Sequence, residues 1–232
     1  MASDPAAIGN HHLAVLFDLD GTLVDTAPDM VAVLTHMQTS RGDVAVAYDV
    51  ARSNVSNGAA GLIRLAFPNV DEGVHQSLYD DYLALYAESV CKQSRLFPDL
   101  ESLLDDLDRE RRPWGVVTNK PRRLTEPLLA KLNLLERAAC AISGDTLPQR
   151  KPDPAPLLLA SRMLDVDPQR VIYVGDAARD IEAGHAAGMT TIAASYGYIT
   201  VDDDPRRWDA DAIVGDTVEL TQLLRTALNL EA

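Results

Sequence analysis

Leu13-Ala14-Val15-Leu16-Phe17-Asp18-Leu19-Asp20-Gly21-Thr22-Leu23 sets an unbroken apolar run against two carboxylates and a glycine. An apolar run of this length, ended at once by turn residues, reads as a strand buried on both faces, the kind that builds parallel sheets. In open α/β sheets ligands sit beyond the carboxyl ends of the strands, and that is where Asp18 and Asp20 fall. Two carboxylates at i and i+2, with Gly21 permitting a tight turn, can divide the chemistry of phosphoryl transfer. One attacks phosphorus and holds a cation, and the other protonates the leaving oxygen. Taken alone, the motif could also be a polar turn closing a strand, so the rest of the chain has to decide.

Outward from this stretch, four more β-favouring runs follow: Trp114-Gly115-Val116-Val117-Thr118, the weaker Cys140-Ala141-Ile142-Ser143, Val171-Ile172-Tyr173-Val174-Gly175 and Thr190-Thr191-Ile192-Ala193-Ala194. Helical patterns separate them. Residues 99–109 place Leu100, Leu103, Leu104 and Leu107 on one stripe. Pro121 opens a helix running to about 132, and Pro154 or Pro156 opens another holding Leu157, Met163 and Leu164. Residues 179–187 form a short helix stopped by Gly188, and 219–228 close the chain. Alternating strands and helices predict a doubly wound α/β fold. One interval breaks the alternation. Between the first strand and Leu96-Phe97-Pro98 only helical patterns occur, at 26–39, 59–67 and 74–90, with no convincing β run. An insert of roughly 70 residues is too long for an ordinary connection. It predicts a small all-helical domain over the sheet, with residues 25–97 as this cap and 13–24 plus 98–232 as the core.

The chain has 232 residues, of which 47% are hydrophobic and 24% charged, with 21 Lys and Arg against 35 Asp and Glu for a formal charge of −14. So acidic a surface argues against nucleic acid or an anionic membrane as partner. An anionic substrate would have to be met by local cations or a metal. Cys91 and Cys140 lie far apart in no metal-like spacing and read as reduced thiols of a cytoplasmic protein. Residues 1–12 carry neither a cationic nor an apolar segment of a signal peptide and read as a flexible lead-in, with no role expected of His11 and His12. No apolar run approaches the ~20 residues of a membrane helix. Nothing in the sequence fixes an oligomeric state.

The other strand ends carry chemistry too. Thr118 and Asn119 end the second strand, and a hydroxyl and an amide there can donate to phosphate oxygens. Lys151, in Arg150-Lys151-Pro152-Asp153-Pro154, can offset the charge of a phosphoryl group and of Asp18. Asp176, in Gly175-Asp176-Ala177-Ala178-Arg179-Asp180, ends the fourth strand, with Asp180 four residues on. Hard carboxylate oxygens are what Mg²⁺ prefers.

Taken in order, these motifs resemble the haloacid dehalogenase superfamily over nearly the whole chain. The resemblance implies a Rossmann-like core with strand order 5-4-1-2-3 and a helical cap inserted after the first motif. It further implies that Asp18 is the nucleophile, forming an aspartyl-phosphate, and that Asp20 is the general acid and base. Thr118, Asn119 and Lys151 would hold the phosphate, with Lys151 stabilising its charge. Mg²⁺ would be held by Asp18, the Asp20 carbonyl and Asp176, with Asp180 supporting Asp176. The dehalogenases themselves typically lack the second Asp, so Asp20 points to a phosphatase.

Asp25-Thr26, Leu96-Phe97-Pro98, Val117-Thr118-Asn119-Lys120 and Lys151-Pro152-Asp153-Pro154 are similar to the phosphoglycolate phosphatases. The cap stretch Arg52-Ser53-Asn54-Val55-Ser56-Asn57-Gly58-Ala59 resembles the loop that faces the active site there. Arg52, Asn57 and Gly58 are therefore candidates for reading the leaving group. Ser195-Tyr196-Gly197-Tyr198-Ile199, together with residues 204–211 around Trp208, looks like the N-acetylmuramic acid 6-phosphate phosphatases of peptidoglycan recycling. The expected substrate is accordingly a small phosphorylated metabolite, N-acetylmuramic acid 6-phosphate ahead of 2-phosphoglycolate. A phosphomutase would also keep Asp18 and Asp20 but needs a cap that lets its intermediate turn round. A non-catalytic binding protein would be expected to have lost Asp18, Asp20, Lys151 or Asp176.

Overall fold

The computed structural model describes residues 8–9 and 11–230. Its frame is a six-stranded parallel sheet. In chain order the strands are β1 (Ala14–Phe17), β4 (Trp114–Val117), β5 (Cys140–Ile142), β6 (Val171–Gly175), β7 (Thr190–Ala194) and β8 (Ala212–Val214), and the spatial order is β5-β4-β1-β6-β7-β8. β1 lies between β4, where Val15 faces Trp114, and β6, where Val15 faces Ile172. Every residue of β1, β4 and β6 is buried. Alternate side chains enter separate cores: Val15 and Phe17 pack on one face, Ala14 and Leu16 on the other. This two-sided burial is what the uninterrupted apolar runs specify.

Numbered over the five expected strands, the observed order contains 5-4-1-2-3. It is extended by β8, which sequence patterning missed because Ala212-Ile213-Val214 is three residues long and follows an acidic, proline-containing loop. The chain winds from β1 through β4 to β5, then returns to the other side of β1 at β6. The carboxyl end of β1 is thus the point at which the winding reverses, where open α/β sheets bind ligands.

The core helices are α5 (Leu100–Arg109), α6 (Arg122–Lys131), α7 (Ala155–Leu164), α8 (Ala178–Ala186) and α9 (Thr217–Ala227). On α5, Leu100, Leu103, Leu104 and Leu107 are fully buried, each contributing about 1.5–3 kcal/mol of apolar burial.

The insert holds α1 (Ala27–Ser40), α2 (Tyr48–Ser53), α3 (Gly58–Ala66) and α4 (Glu72–Ser89), with α1 packed on α2, α3 and α4. Two expectations need correction here. The interval does contain β structure: β2 (Val24–Asp25) pairs antiparallel with β3 (Arg95–Leu96), so the chain leaves for the insert and returns on adjacent strands. Two-residue strands are too short to show a period. The stretch expected as a loop at 52–59 is instead the end of α2, a 3₁₀ turn at Val55–Asn57 and the start of α3. The return is pinned by the buried Asp29 of α1, whose carboxylate accepts from the amides of Gln93 (2.9 Å) and Ser94 (2.9 Å) and from the Ser94 hydroxyl (2.6 Å).

Part of the lead-in expected to be flexible is also packed. Ile8 joins the core, and the ring of buried His12 lies 2.9 Å from the Thr190 hydroxyl. Residues 1–7 and 10 lie outside the described ones. Among those described, no helix is long and apolar enough to cross a membrane.

Candidate active site

The loop after β1 is held by its own backbone. The Asp18 amide donates to the Val174 carbonyl (2.8 Å) and so extends the sheet ladder, while Gly21 N–H donates to Val24 O (3.0 Å) and Val24 N–H to Leu19 O (2.9 Å). Gly21 has φ +88°, and a Cβ there would lie 2.1 Å from an oxygen of Asp176. Only glycine satisfies both the left-handed backbone and that close approach. The turn thereby brings the β1 loop onto the end of β6.

Lys151 joins three strand ends. Its ammonium lies 2.7 Å from Asp18 Oδ1, 2.7 Å from Asp180 Oδ1, 2.8 Å from the Val117 carbonyl and 2.8 Å from the Tyr173 hydroxyl. Burial alone would lower the pKa of this lysine, but Asp18 and Asp180 outweigh it and raise it, so the ammonium is held charged. Burial pushes the Asp18 carboxyl above the usual carboxylate range; Lys151 opposes that rise, and repulsion from Asp180 adds to it. Asp180 also accepts from the Ala177 amide (3.1 Å) at the start of α8. It therefore anchors Lys151 more directly than it supports Asp176.

Asp20 has a different setting. Its Oδ1 accepts from the Thr26 hydroxyl (2.6 Å) and from the ammonium of Lys120 (2.7 Å). Thr118 is buried at the end of β4, its hydroxyl oxygen accepting from the Lys120 amide (3.1 Å). Asn119 lines the cavity over this sheet edge as well; one N–H of its amide donates to Lys151 O (3.0 Å) and its oxygen accepts from Lys151 N–H (3.1 Å), which fixes the backbone that carries Lys151 and leaves the second N–H for a ligand.

One carboxylate oxygen from each of Asp18, Asp176 and Asp180 falls within 4.8 Å of the others. Asp176 Oδ2 accepts from the Ser56 hydroxyl (2.6 Å) and the Tyr198 amide (2.8 Å). Its Oδ1 is buried without a hydrogen-bond partner. Burial first, then repulsion from Asp18 and Asp180, pushes its pKa up to about 8. A buried orphan oxygen in an all-oxygen cluster with excess negative charge fits a hard divalent cation.

A cavity of about 300 Å³ opens over Asp18, Asp20, Thr118 and Lys151, walled by the helical insert. Asn57 and Gly58 line it as expected, and Arg52 does not. Arg52 instead lies 4.9 Å from the Tyr198 ring centre and 4.0 Å from Asp25. Ser56, Lys120 and Arg179 were not predicted from sequence. Ser56 reaches Asp176, and the Arg179 guanidinium donates to Ser56 O (2.7 Å), tying insert to core. Ser195-Tyr196-Gly197-Tyr198 backs the β1 loop: the Tyr196 hydroxyl donates to Thr22 O (2.8 Å) and that of Tyr198 to Asp25 (2.6 Å). Trp208 is half-buried, with its indole N–H on Asp203 of its own loop (2.8 Å).

A carboxylate held by a buried lysine, a second carboxylate in the same cavity and a cation-fitting cluster at one sheet edge suit phosphoryl transfer, the chemistry of a phosphomonoester hydrolase. The family model for haloacid dehalogenase-like hydrolases matches residues 15–194, and the chain belongs to that family. It is 43% identical over 218 residues to an N-acetylmuramic acid 6-phosphate phosphatase of Pseudomonas putida, covering 93% of this chain and 97% of that protein. It is 42% identical over 207 residues to a phosphoglycolate phosphatase of Xanthomonas campestris pv. campestris, covering 89% and 94%. Among solved structures, a predicted phosphoglycolate phosphatase from Haemophilus somnus superposes with TM-score 0.81 at 26% identity over 92% of this chain and 98% of that one.

Proposed function

We propose that this enzyme hydrolyses N-acetylmuramic acid 6-phosphate in the cytoplasm, with Mg²⁺ as its cation. The chemistry assigns Asp18 as nucleophile: its free oxygen forms a bond to phosphorus as the ester P–O bond breaks. Asp20 gives its proton to the departing alcohol oxygen. Asp20, now a carboxylate, takes a proton from water as that water attacks the aspartyl-phosphate, releasing phosphate and restoring both acids. Lys151 and the Thr118 hydroxyl hold the phosphoryl oxygens, and Asn119 keeps Lys151 in place. Mg²⁺, held by Asp18, the Asp20 carbonyl and Asp176, supplies positive charge to a dianionic ester inside a strongly acidic protein. The helical insert acts as a cap that keeps bulk water from the reacting atoms.

The observation that carries the substrate is the cavity. At about 300 Å³ it falls at the lower end of the range for small-molecule sites, and Tyr79, Tyr82, Tyr86, Met30 and Leu83 form part of its wall. An acetylated sugar ring fills such a space and can lie against the half-buried Tyr79, whereas a two-carbon acid leaves most of it empty. Phosphoglycolate is the second reading, favoured by the 42% identity to a protein of that name. The comparison of kcat/KM on the two phosphates decides: at least a tenfold preference for the amino-sugar phosphate is expected, and a preference for 2-phosphoglycolate refutes the assignment.

A further inference from the structure

Lys120 is a buried cation outside the nucleophile's own lysine cluster, and the chemistry above leaves it without a task. Its side chain is 6% exposed, and its ammonium sits 2.7 Å from Asp20 Oδ1 and 3.1 Å from the Tyr86 hydroxyl, 4.7 Å from the centre of that ring. Its backbone is equally fixed. The Lys120 carbonyl accepts from Gly144 N–H (2.9 Å) and the Thr125 hydroxyl (3.1 Å), and its amide donates to Thr118 (3.1 Å). Gly144 permits this approach, since a Cβ there would lie 2.1 Å from the Asn119 carbonyl oxygen.

The consequence falls on Asp20. Lys120 and Thr26 both bond Oδ1, whereas Oδ2 makes no hydrogen bond among the described residues, and Asp20 lines the cavity. A carboxyl held by one oxygen cannot swing, so the other oxygen is aimed. We infer that Lys120, steadied by Tyr86 of α4, is the positioning residue that aims Asp20 Oδ2 at the leaving-group oxygen. Tyr86 belongs to the helical insert, so the aim is complete only when the insert lies over the sheet edge. A cap element thus serves the proton transfer itself and not only the enclosure of substrate.

The inference rests on the reading of Asp20 as general acid. A misaimed acid hurts a poor leaving group, which needs the proton, far more than a good one, which departs as the anion. The readout is therefore a ratio: kcat/KM on an alkyl phosphate (N-acetylmuramic acid 6-phosphate or 2-phosphoglycolate, whichever turns over faster) divided by that on 4-nitrophenyl phosphate. Asp20→Asn should collapse this ratio by about 10²-fold or more. Lys120→Met should lower it about 10- to 100-fold, and Tyr86→Phe, which loses a single oxygen, about 3- to 10-fold. Lys120→Met with Tyr86→Phe should be no worse than Lys120→Met alone, because Tyr86 acts through the lysine. A merely structural lysine would lower both substrates together and leave the ratio unchanged, which overturns the inference while Asp20→Asn still lowers it. An unchanged ratio in Asp20→Asn overturns the reading of Asp20 instead. If Lys120→Met fails to fold, Tyr86→Phe decides alone, an unchanged ratio there counting against the inference.

Discussion

Replacing Lys151 by Met keeps the side chain's length and removes its charge. In the native site the ammonium stands 2.7 Å from one oxygen of Asp18 and 2.7 Å from one of Asp180, with the lysine side chain 1% exposed and the carboxylates 5% and 0%. Removing one member of a buried ion pair strands the other, at about 3–5 kcal/mol. For a chain of this length each kcal/mol moves the midpoint of thermal unfolding about 2–4 °C, so a fall of about 6 to 20 °C is expected in EDTA. The loss carries a pH signature. Without the ammonium, the rise that burial imposes on the Asp18 carboxyl is unopposed, and a group so raised contributes stability that is present at low pH and lost as pH rises. The deficit against wild type should thus be smaller at pH 5.5, where a proton takes the place of the ammonium, and larger at pH 8.5. Scanning calorimetry of both proteins at the two pH values measures this. A deficit equal at both, or a variant as stable as wild type at pH 8.5, would refute the view that Lys151 neutralises two buried charges. Turnover should fall about 10²- to 10³-fold at either pH, because the cation that meets the phosphoryl group is gone.

Asp18→Asn should abolish turnover of every phosphate ester while leaving the midpoint of unfolding unchanged or raised, since burial already disfavours this charge and Lys151 retains Asp180; substantial residual turnover counts against the covalent route. For the cation, Asp176 with its pKa at about 8 binds a proton in the folded state that an unfolded carboxyl has shed. Metal-free stability should therefore decline as pH climbs from about 4 to about 8, between the unfolded and folded values, and level off above that. Added Mg²⁺ competes with that proton, so the rise in unfolding midpoint that it produces should be greater at pH 8.5 than at pH 6 and absent in Asp176→Asn. An equal rise at both pH values would show that the cation binds elsewhere.

Sequence patterning reached a large part of the fold because the determining signals are local. The runs at β1, β4 and β6 are near-continuously apolar, as burial on both faces requires, and the Leu stripe of α5 repeats at helical spacing. What it missed was short or paired at a distance. β2 and β3 are two residues each, and only the folded chain brings Val24 opposite Leu96. α2 is six residues with a single buried position, Ala51, too little for a period to show. Ile8 is buried by contacts that the opening residues do not announce.

The chemical inventory is likewise a property of the sequence alone: Asp18, Asp20, Thr118, Lys151 and Asp176 each follow a strand, and carboxyl ends of parallel strands share one edge. How those groups divide their labour was decided by the tertiary structure. Asn119 offers two amide donors, and folding gives one of them to the Lys151 backbone. Arg52 stands in a promising stretch, yet packs on Tyr198 outside the cavity. Lys120 closes the motif Val117-Thr118-Asn119-Lys120 with no role of its own assigned, and only the folded chain sets its ammonium between Asp20 of the sheet edge and Tyr86 of α4 in the insert. Residue type fixes what a group can donate, accept or attack; which partner takes that capacity first depends on distances of about 3 Å between segments far apart in the chain, and those distances exist only once the insert and the sheet have packed together.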